Sequence, residues 1–313
     1  RRGSSSRVVT DPLFGDDLPP GHRSGFVSIV GRPNAGKSTL LNRVLGRKIA
    51  AVTPKPQTTR RRLLGIKTLE QAQILFLDTP GIHKARDVMN ERMVERAWAT
   101  LAEGDVALWV VDATQGLSGA DREIGARLLA GRAQVVVALN KIDAVDKPSL
   151  LPVMAAVAAL LPGREIVPIS ALVGEHVEDL LGVLTARLPE GPRFYPADEL
   201  TDEPERAIAA EIVREKAMME TRDEIPYAVA VSVDAFEEKP EKGLVVVSAT
   251  LHVARESQKP ILVGHRGARI KKIGQAARVE LEEFLGTRVY LELFVRVQDD
   301  WNKHVARLRD FGL

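Results

Sequence analysis

The chain has 313 residues, with 44 Lys and Arg against 42 Asp and Glu, so its formal net charge is +2. The length suggests about two domains, and 45% hydrophobic with 27% charged residues excludes a wholly disordered chain. Cys is absent, which excludes disulfides and thiolate metal sites and permits a reducing cytosol. No apolar run approaches the roughly 18 residues of a membrane helix.

Residues 1–24 are rich in Arg, Ser, Gly, Pro and Asp and read as a mobile tail. Without an apolar central region they do not resemble a signal peptide. From Gly25 the pattern alternates strand and helix. Phe26 to Val30 is a strand ending at Gly31, and Ser38 to Leu45 has helical spacing. Arg61 to Thr68 and Gln73 to Leu77 read as strands, and Val88 to Ala102 as a helix. Val106 to Val111, Val135 to Leu139 and Glu165 to Ile169 are further strands. Helices near Ala120–Leu129, Leu150–Leu161 and Val177–Leu188 lie between and after them. Val153 to Leu161, the longest apolar run, reads as a buried helix. Continuous apolar strands with intervening helices imply a doubly wound, mostly parallel α/β sheet, with ligands at the carboxyl ends of the strands.

Pro189 to Pro192 ends this unit, and 192–203 reads as a linker. Beyond it, Ala207 to Met219 is helical, Ala228 to Phe236 and Leu244 to Val253 are strands, Ile270 to Leu285 is helical, and Arg288 to Val297 is a strand. This predicts a smaller α+β domain over 204–313, beside an α/β domain over 25–191.

Gly31-Arg32-Pro33-Asn34-Ala35-Gly36-Lys37-Ser38 matches GxxxxGK[ST] between a strand and a helix, the context that a phosphate loop requires. Its glycines let backbone N–H groups face phosphates, and the helix N-terminus favours the negative charge. Lys37 can reach the β- and γ-phosphates, and the Ser38 hydroxyl can ligate Mg²⁺. Pro33, Ala35 and Thr39 belong to the same contact set. Asp78-Thr79-Pro80-Gly81 follows a strand, placing Asp78 to hold Mg²⁺ and the Gly81 N–H to meet a γ-phosphate. Asn140-Lys141-Ile142-Asp143 follows another. The Asp143 carboxylate can accept from guanine N1–H and the 2-amino group, which adenine lacks, so it selects GTP over ATP. Lys141 can lie along the base and Asn140 can brace the loop. Ser170-Ala171 follows a strand as well, and the Ala171 N–H could bond guanine O6.

These motifs resemble the translation-factor-related GTPases. That resemblance implies a switch I Thr between the first two motifs, so either Thr58 or Thr59 would sense the γ-phosphate and Mg²⁺, with Thr59 preferred. Lys37, Thr59, Asp78 and Gly81 then form the hydrolytic set. Ras-like enzymes place a Gln after the DxxG glycine to orient water; here that residue is Ile82, so slow intrinsic hydrolysis is expected. His83 stands nearby. By resemblance, Asn34 occupies the position of an Asn that helps to bind K⁺.

The C-terminal domain hides an asymmetry behind the net charge. Asp198 to Glu241 is acid-rich, whereas Ser257 to Val279 has no acid and carries Lys259, Arg266, Arg269, Lys271, Lys272 and Arg278. Gly264-His265-Arg266-Gly267 is a GxxG loop followed by a helix, the signature of a KH fold, whose glycines let sugar–phosphate approach. Lys259, Gly264, His265, Arg266, Gly267, Arg269, Lys271 and Lys272 are the candidate RNA contacts. Ile261 to Val263, with Ile270 and Ile273, would pack the loop and floor the groove.

Together GRPNAGKSTLLN, PQTTR, DTPGIH, NKID, the Glu211–Lys216 helix, the Ile225-Pro226-Tyr227 strand start and Trp301 resemble the Era family, bacterial GTPases with a C-terminal type II KH domain. The resemblance covers about 25–313. It implies a P-loop GTPase that matures the small ribosomal subunit, binding single-stranded 16S rRNA near its 3′ end. The family is also associated peripherally with the inner membrane, although the sequence shows no anchor, and the alternative reading is a regulatory GTPase acting at the membrane or on a protein partner.

Overall fold

The computed structural model describes residues 18–56, 58–82, 88–131, 133–222 and 225–301, with Leu308 and Phe311. Its first sheet has six strands: β1 (Arg23–Val30), β2 (Leu63–Thr68), β3 (Ala72–Asp78), β4 (Val106–Asp112), β5 (Gln134–Asn140) and β6 (Glu165–Pro168). Their spatial order is β2-β3-β1-β4-β5-β6. Every neighbouring pair is parallel except β2 with β3.

The helices are α1 (Lys37–Leu45), α2 (Val88–Glu103), α3 (Gly119–Ala130), α4 (Lys147–Leu160) and α5 (Val177–Thr185). All residues of β3 and β4 are buried, because alternate side chains enter two different layers. Ile29, Phe76 and Leu108 pack with α1 and α5 through Leu40, Leu41 and Leu180. Val30, Trp109 and Val111 pack on the other face with Ala97, Ile124, Leu128 and Val157. The chain leaves β1 toward β2 and β3 on one side and later returns to β4 on the other. That reversal opens a crevice at the carboxyl ends of β1 and β4.

The C-terminal domain contains α6 (Glu205–Glu220), α7 (Ile225–Ala228), β7 (Ala230–Lys239), β8 (Leu244–Val253), α8 (Gln258–Val263), α9 (Ala268–Leu285) and β9 (Arg288–Val297). The sheet order is β7-β8-β9, with β7 antiparallel and β9 parallel to β8.

Four expectations change. β1 begins at Arg23, inside the stretch read as a tail, because Arg23 and Ser24 pair with Ala72 and Gln73. β2 begins at Leu63 rather than Arg61; the side chains of Arg61 and Arg62 reach Glu203 and Glu103 instead. Of the apolar run in α4, only Val157 and the following Leu161 are buried, since this helix covers one outer face of the sheet. Ile225-Pro226-Tyr227 forms a helical turn rather than the start of a strand, and it turns carbonyls toward Arg60. Among the described residues, no helix is long and apolar enough to cross a membrane.

Candidate nucleotide site and nucleic-acid interface

The phosphate loop curls at the end of β1. Gly36 has φ of 99°, and a Cβ there would lie 2.1 Å from Asn140 Nδ2, so only glycine fits. Gly81 approaches so closely that a Cβ would sit 2.7 Å from the Pro33 backbone nitrogen. The cleft is lined by Pro33, Asn34, Gly36, Lys37, Ser38 and Thr39, with Thr58, Thr59 and Gly81 opposite. Ala35 is buried beneath it.

Lys37 folds back on the loop, donating to the carbonyls of Gly31 at 3.1 Å and Arg32 at 2.9 Å. Burial lowers its pKa to about 8, against the opposing charge of Asp78. Burial also pushes the Asp78 carboxyl up, against Lys37 and hydrogen bonds from Ser38 and Thr59. Asp78 Oδ2 accepts from Ser38 Oγ at 2.9 Å and from Thr59 Oγ1 at 3.3 Å, and those two hydroxyls are 2.8 Å apart. Asp78 Oδ1 is buried without a hydrogen-bond partner. A hard oxygen set with an unpaired carboxylate oxygen suits Mg²⁺.

The two switch threonines separate clearly. Thr59 joins Ser38 and Asp78, whereas Thr58 Oγ1 is taken by Thr53 at 2.7 Å and the Lys55 carbonyl at 2.8 Å. Asn34, with φ of 61°, donates to the Pro54 carbonyl at 2.8 Å and so ties the phosphate loop to this segment. Ile82 is buried, its N–H donating to Gly31. His83 lies outside the described residues.

At the base pocket, Ser170 Oγ donates to Asp143 Oδ1 at 2.5 Å. Asn140 donates to the Ala35 carbonyl at 2.8 Å and accepts from the Ala171 N–H at 2.9 Å. The Ala171 N–H, expected to face guanine O6, is therefore engaged by Asn140, which pins two loops at once. Lys141 Nζ lies 2.6 Å from Asp112 Oδ2. Burial would raise Asp112, yet bonds from Lys141 and Thr114 hold it below the usual carboxylate range. Sequence reasoning missed Asp112 and also Arg43, which donates to the carbonyls of Ala171 and Leu172. Asp112 ends a strand and was open to detection by that rule; Arg43 carries no such signal.

In the C-terminal domain, Gly264 has φ of 75°, and a Cβ there would meet Arg269 Cβ at 2.7 Å. Gly267 precedes the first turn of α9. Lys259, His265, Arg266 and Lys271 are exposed around this loop. Two other candidates are engaged within the protein: Arg269 donates to the Ile261 carbonyl, and Lys272 pairs with Glu220 at 2.9 Å. The groove beside the loop is lined by Ile270, Lys271, Gly274, Gln275 and Arg278 of α9 and by Leu291 and Leu293 of β9. Leu262 and Ile273, expected to contribute to its floor, are buried in the core instead. Helical spacing explains this: residues 270, 274 and 278 share a face, and 273 and 277 turn inward.

The domains are bonded through the switch I segment. Arg60 donates to the carbonyls of Val229, Pro226 and Tyr227 at 2.7, 3.1 and 3.0 Å. Arg214 donates to the Thr58 carbonyl. Glu215 accepts from the Val52 N–H at 2.8 Å and pairs with Lys48 at 2.7 Å. Met89 and Met93 of α2 pack with Ala228, Ala230, Trp301 and Leu308. None of these contacts is visible in a motif, because most acceptors are backbone atoms far away in sequence.

Fold and site together define a P-loop GTPase joined to a KH domain. Residues 26–141 match a family described as 50S ribosome-binding GTPase, and residues 224–302 match the KH domain. GTPase Era of Geobacter metallireducens is 52% identical over 93% of this chain and 97% of its own length. GTPase Era of Heliobacterium modesticaldum is 44% identical over the same shares. The chain belongs to the Era family of GTPases, and it is a GTPase. Two solved Era structures match with TM-scores of 0.89 at 44% identity, covering 93% of this chain and 99% of theirs. One is an Aquifex aeolicus Era variant bound to GDP and aluminium fluoride. The other is Era with MgGDPNP and nucleotides 1506–1542 of 16S ribosomal RNA.

Proposed function

We propose that the protein is a Mg²⁺-dependent GTP switch that binds 16S rRNA near its 3′ end and assists assembly of the small ribosomal subunit. The observation that carries this reading is the likeness, over 93% of the chain, to Era bound to nucleotides 1506–1542 of that RNA. The exposed cations around Gly264–Gly267 support it. A ribosomal partner implies a cytoplasmic location. We assign 23–191 to the GTPase domain, since β1 begins at Arg23, with 192–203 as a linker and 204–313 as the KH domain. The linker runs beside β2, where the Leu200 carbonyl accepts from Ile66 at 2.8 Å.

Ser38, Thr59 and Asp78 would hold Mg²⁺, which neutralises charge developing on the transferred phosphoryl group. Lys37 adds a buried cation at the β- and γ-phosphates. The Gly81 N–H and Thr59 report whether a γ-phosphate is present. Asp143, oriented by Ser170, selects guanine. Ile82 offers no group to orient water, so intrinsic hydrolysis is slow. Asn34 would contribute to a K⁺ site beside the Pro54 carbonyl. Equal turnover in K⁺ and Na⁺ at matched ionic strength would remove K⁺ from the scheme.

His265 and Arg266, with Lys259 and Lys271, meet sugar–phosphate, and unstacked bases enter the groove over Leu291 and Leu293. GTP orders the Thr59 and Asp78–Gly81 segments, and Thr59 lies between Thr58 and Arg60, which both bond to the KH domain; RNA affinity therefore depends on the nucleotide. Crosslinking of the GTP-bound protein to ribosomal RNA tests the assignment. Crosslinks at the 3′ end of 16S rRNA are expected. Crosslinks to a protein or to lipid alone would replace RNA as the partner. Equal RNA affinity with GDP and a nonhydrolysable GTP analogue would refute the coupling.

A further inference from the structure

We infer that Arg214, a KH-domain residue, is a positioning residue for the GTP centre: it fixes the Thr58 carbonyl and thereby sets Thr59 against Ser38 and Asp78. The inference rests on the proposed role of Thr59 as γ-phosphate sensor.

Arg214 projects from α6 and is only 3% exposed. Its Nε donates to Glu211 Oε1 at 3.1 Å, and its Nη2 to Glu211 Oε2. Burial would raise the Glu211 carboxyl, yet the charges of Arg214, Arg61 and Arg60 hold it below the usual range. The pair is thus ionised, and the guanidinium plane is locked by a two-pronged grip. That ion pair is complete without Thr58. The same Nη2 nevertheless donates across the domain boundary to the Thr58 carbonyl.

The peptide unit from the Thr58 carbonyl to the Thr59 nitrogen is planar. Holding its oxygen therefore sets the plane from which Thr59 departs. One residue later, the Arg60 guanidinium is held by the carbonyls of Pro226, Tyr227 and Val229. Thr59 is flanked on both sides by attachments to the KH domain, and its own hydroxyl lies 2.8 Å from Ser38 Oγ. Thr58 cannot take over, since its hydroxyl is bonded to Thr53 and Lys55. Misplacing a reacting group by about 1 Å can cost on the order of a hundredfold in rate.

The experiment compares full-length wild type, Arg214→Lys, Arg214→Ala, Thr59→Ala and the Arg214→Ala/Thr59→Ala double variant. Competition with a fluorescent GDP gives each protein's preference for a nonhydrolysable GTP analogue over GDP, and steady-state assays give kcat and KM. Lys at 214 keeps the charge facing Glu211 but loses the fork that also reaches Thr58, so Arg214→Lys keeps the fold while testing the contact. Both single Arg214 variants should lower kcat and the analogue preference about tenfold, with GDP affinity unchanged. In the Thr59→Ala background, Arg214→Ala should add nothing. Full rescue by Lys, an equal loss for GDP and the analogue, or an undiminished effect without Thr59 would each overturn the inference. If Thr59→Ala alone leaves the preference intact, the sensor assignment fails and takes this inference with it, whereas guanine selection by Asp143 stands.

Discussion

The molecule has two glycine loops that lead into helices, and they treat charge in opposite ways. At Gly31–Ser38, Lys37 and Asp78 are buried and face a closed set of hydroxyls and carbonyls. At Gly264–Gly267, the nearby cations Lys259, Arg266 and Lys271 stand in solvent. The first loop is shaped for one small, highly charged ligand held by direction. The second suits a polyanion held mainly by the number of charges. Burial makes the first sensitive to atomic displacement and to pH, while exposure makes the second sensitive to salt.

The contrast can be broken most severely at Gly36. Gly36→Ala puts a Cβ on Asn140 in a left-handed backbone, and nucleotide affinity should fall by more than about a hundredfold. Titration with fluorescent GDP measures it, and a loss under tenfold would mean that the loop tolerates movement. Next, the double substitution of Asp for His265 and Arg266 should reduce RNA affinity about a hundredfold and leave GDP binding unchanged, measured by filter binding and nucleotide titration.

Salt sharpens the same contrast. Three exposed cations predict a log–log slope near −2 on single-stranded RNA, roughly a twentyfold loss between 50 and 200 mM salt. GDP affinity should change far less over that range, because its contacts are buried. The pH response is reversed in place. Lys37, with a pKa lowered to about 8, is increasingly neutral above that pH in the free protein, and bound phosphates restore its proton. Nucleotide affinity should therefore fall above pH 8 by up to about tenfold per unit, with proton uptake visible calorimetrically in buffers of different ionisation enthalpy. RNA affinity should be flat there. The smallest effect is expected at Lys272, whose Glu220 partner already engages it: Lys272→Ala should change RNA affinity less than about twofold.

Much of the fold was legible because burial writes itself into composition. β3 to β5 are apolar on nearly every residue since helices cover both faces, and the nucleotide motifs sit at strand ends because the sheet requires it. The run in α4 misled, for an apolar stretch is consistent with burial but does not enforce it. The turn at Ile225–Ala228 was missed because its conformation answers to Arg60, 166 residues away from Pro226. The groove floor was misassigned because it depends on which face of α9 meets β9. Arg43, Arg60 and Arg214 share one obstacle: each engages backbone carbonyls, and a carbonyl has no sequence identity.

The arrangement of α1 and α9 has an electrical consequence. Each helix starts at one of the glycine loops, and the two meet at their other ends, where Arg47 lies over Phe284 and donates to its carbonyl. Lys48 pairs there with Glu280 at 2.7 Å. Peptide dipoles leave a helix partly positive at its start and partly negative at its finish. The carboxyl ends of both helices thus lie near one junction, where Arg47 donates to a last-turn carbonyl of α9 and Lys48 pairs with Glu215 and Glu280. Their amino ends begin at the two glycine loops, so the positive end of one helix dipole lies at each loop while the opposite ends share one ion-paired junction.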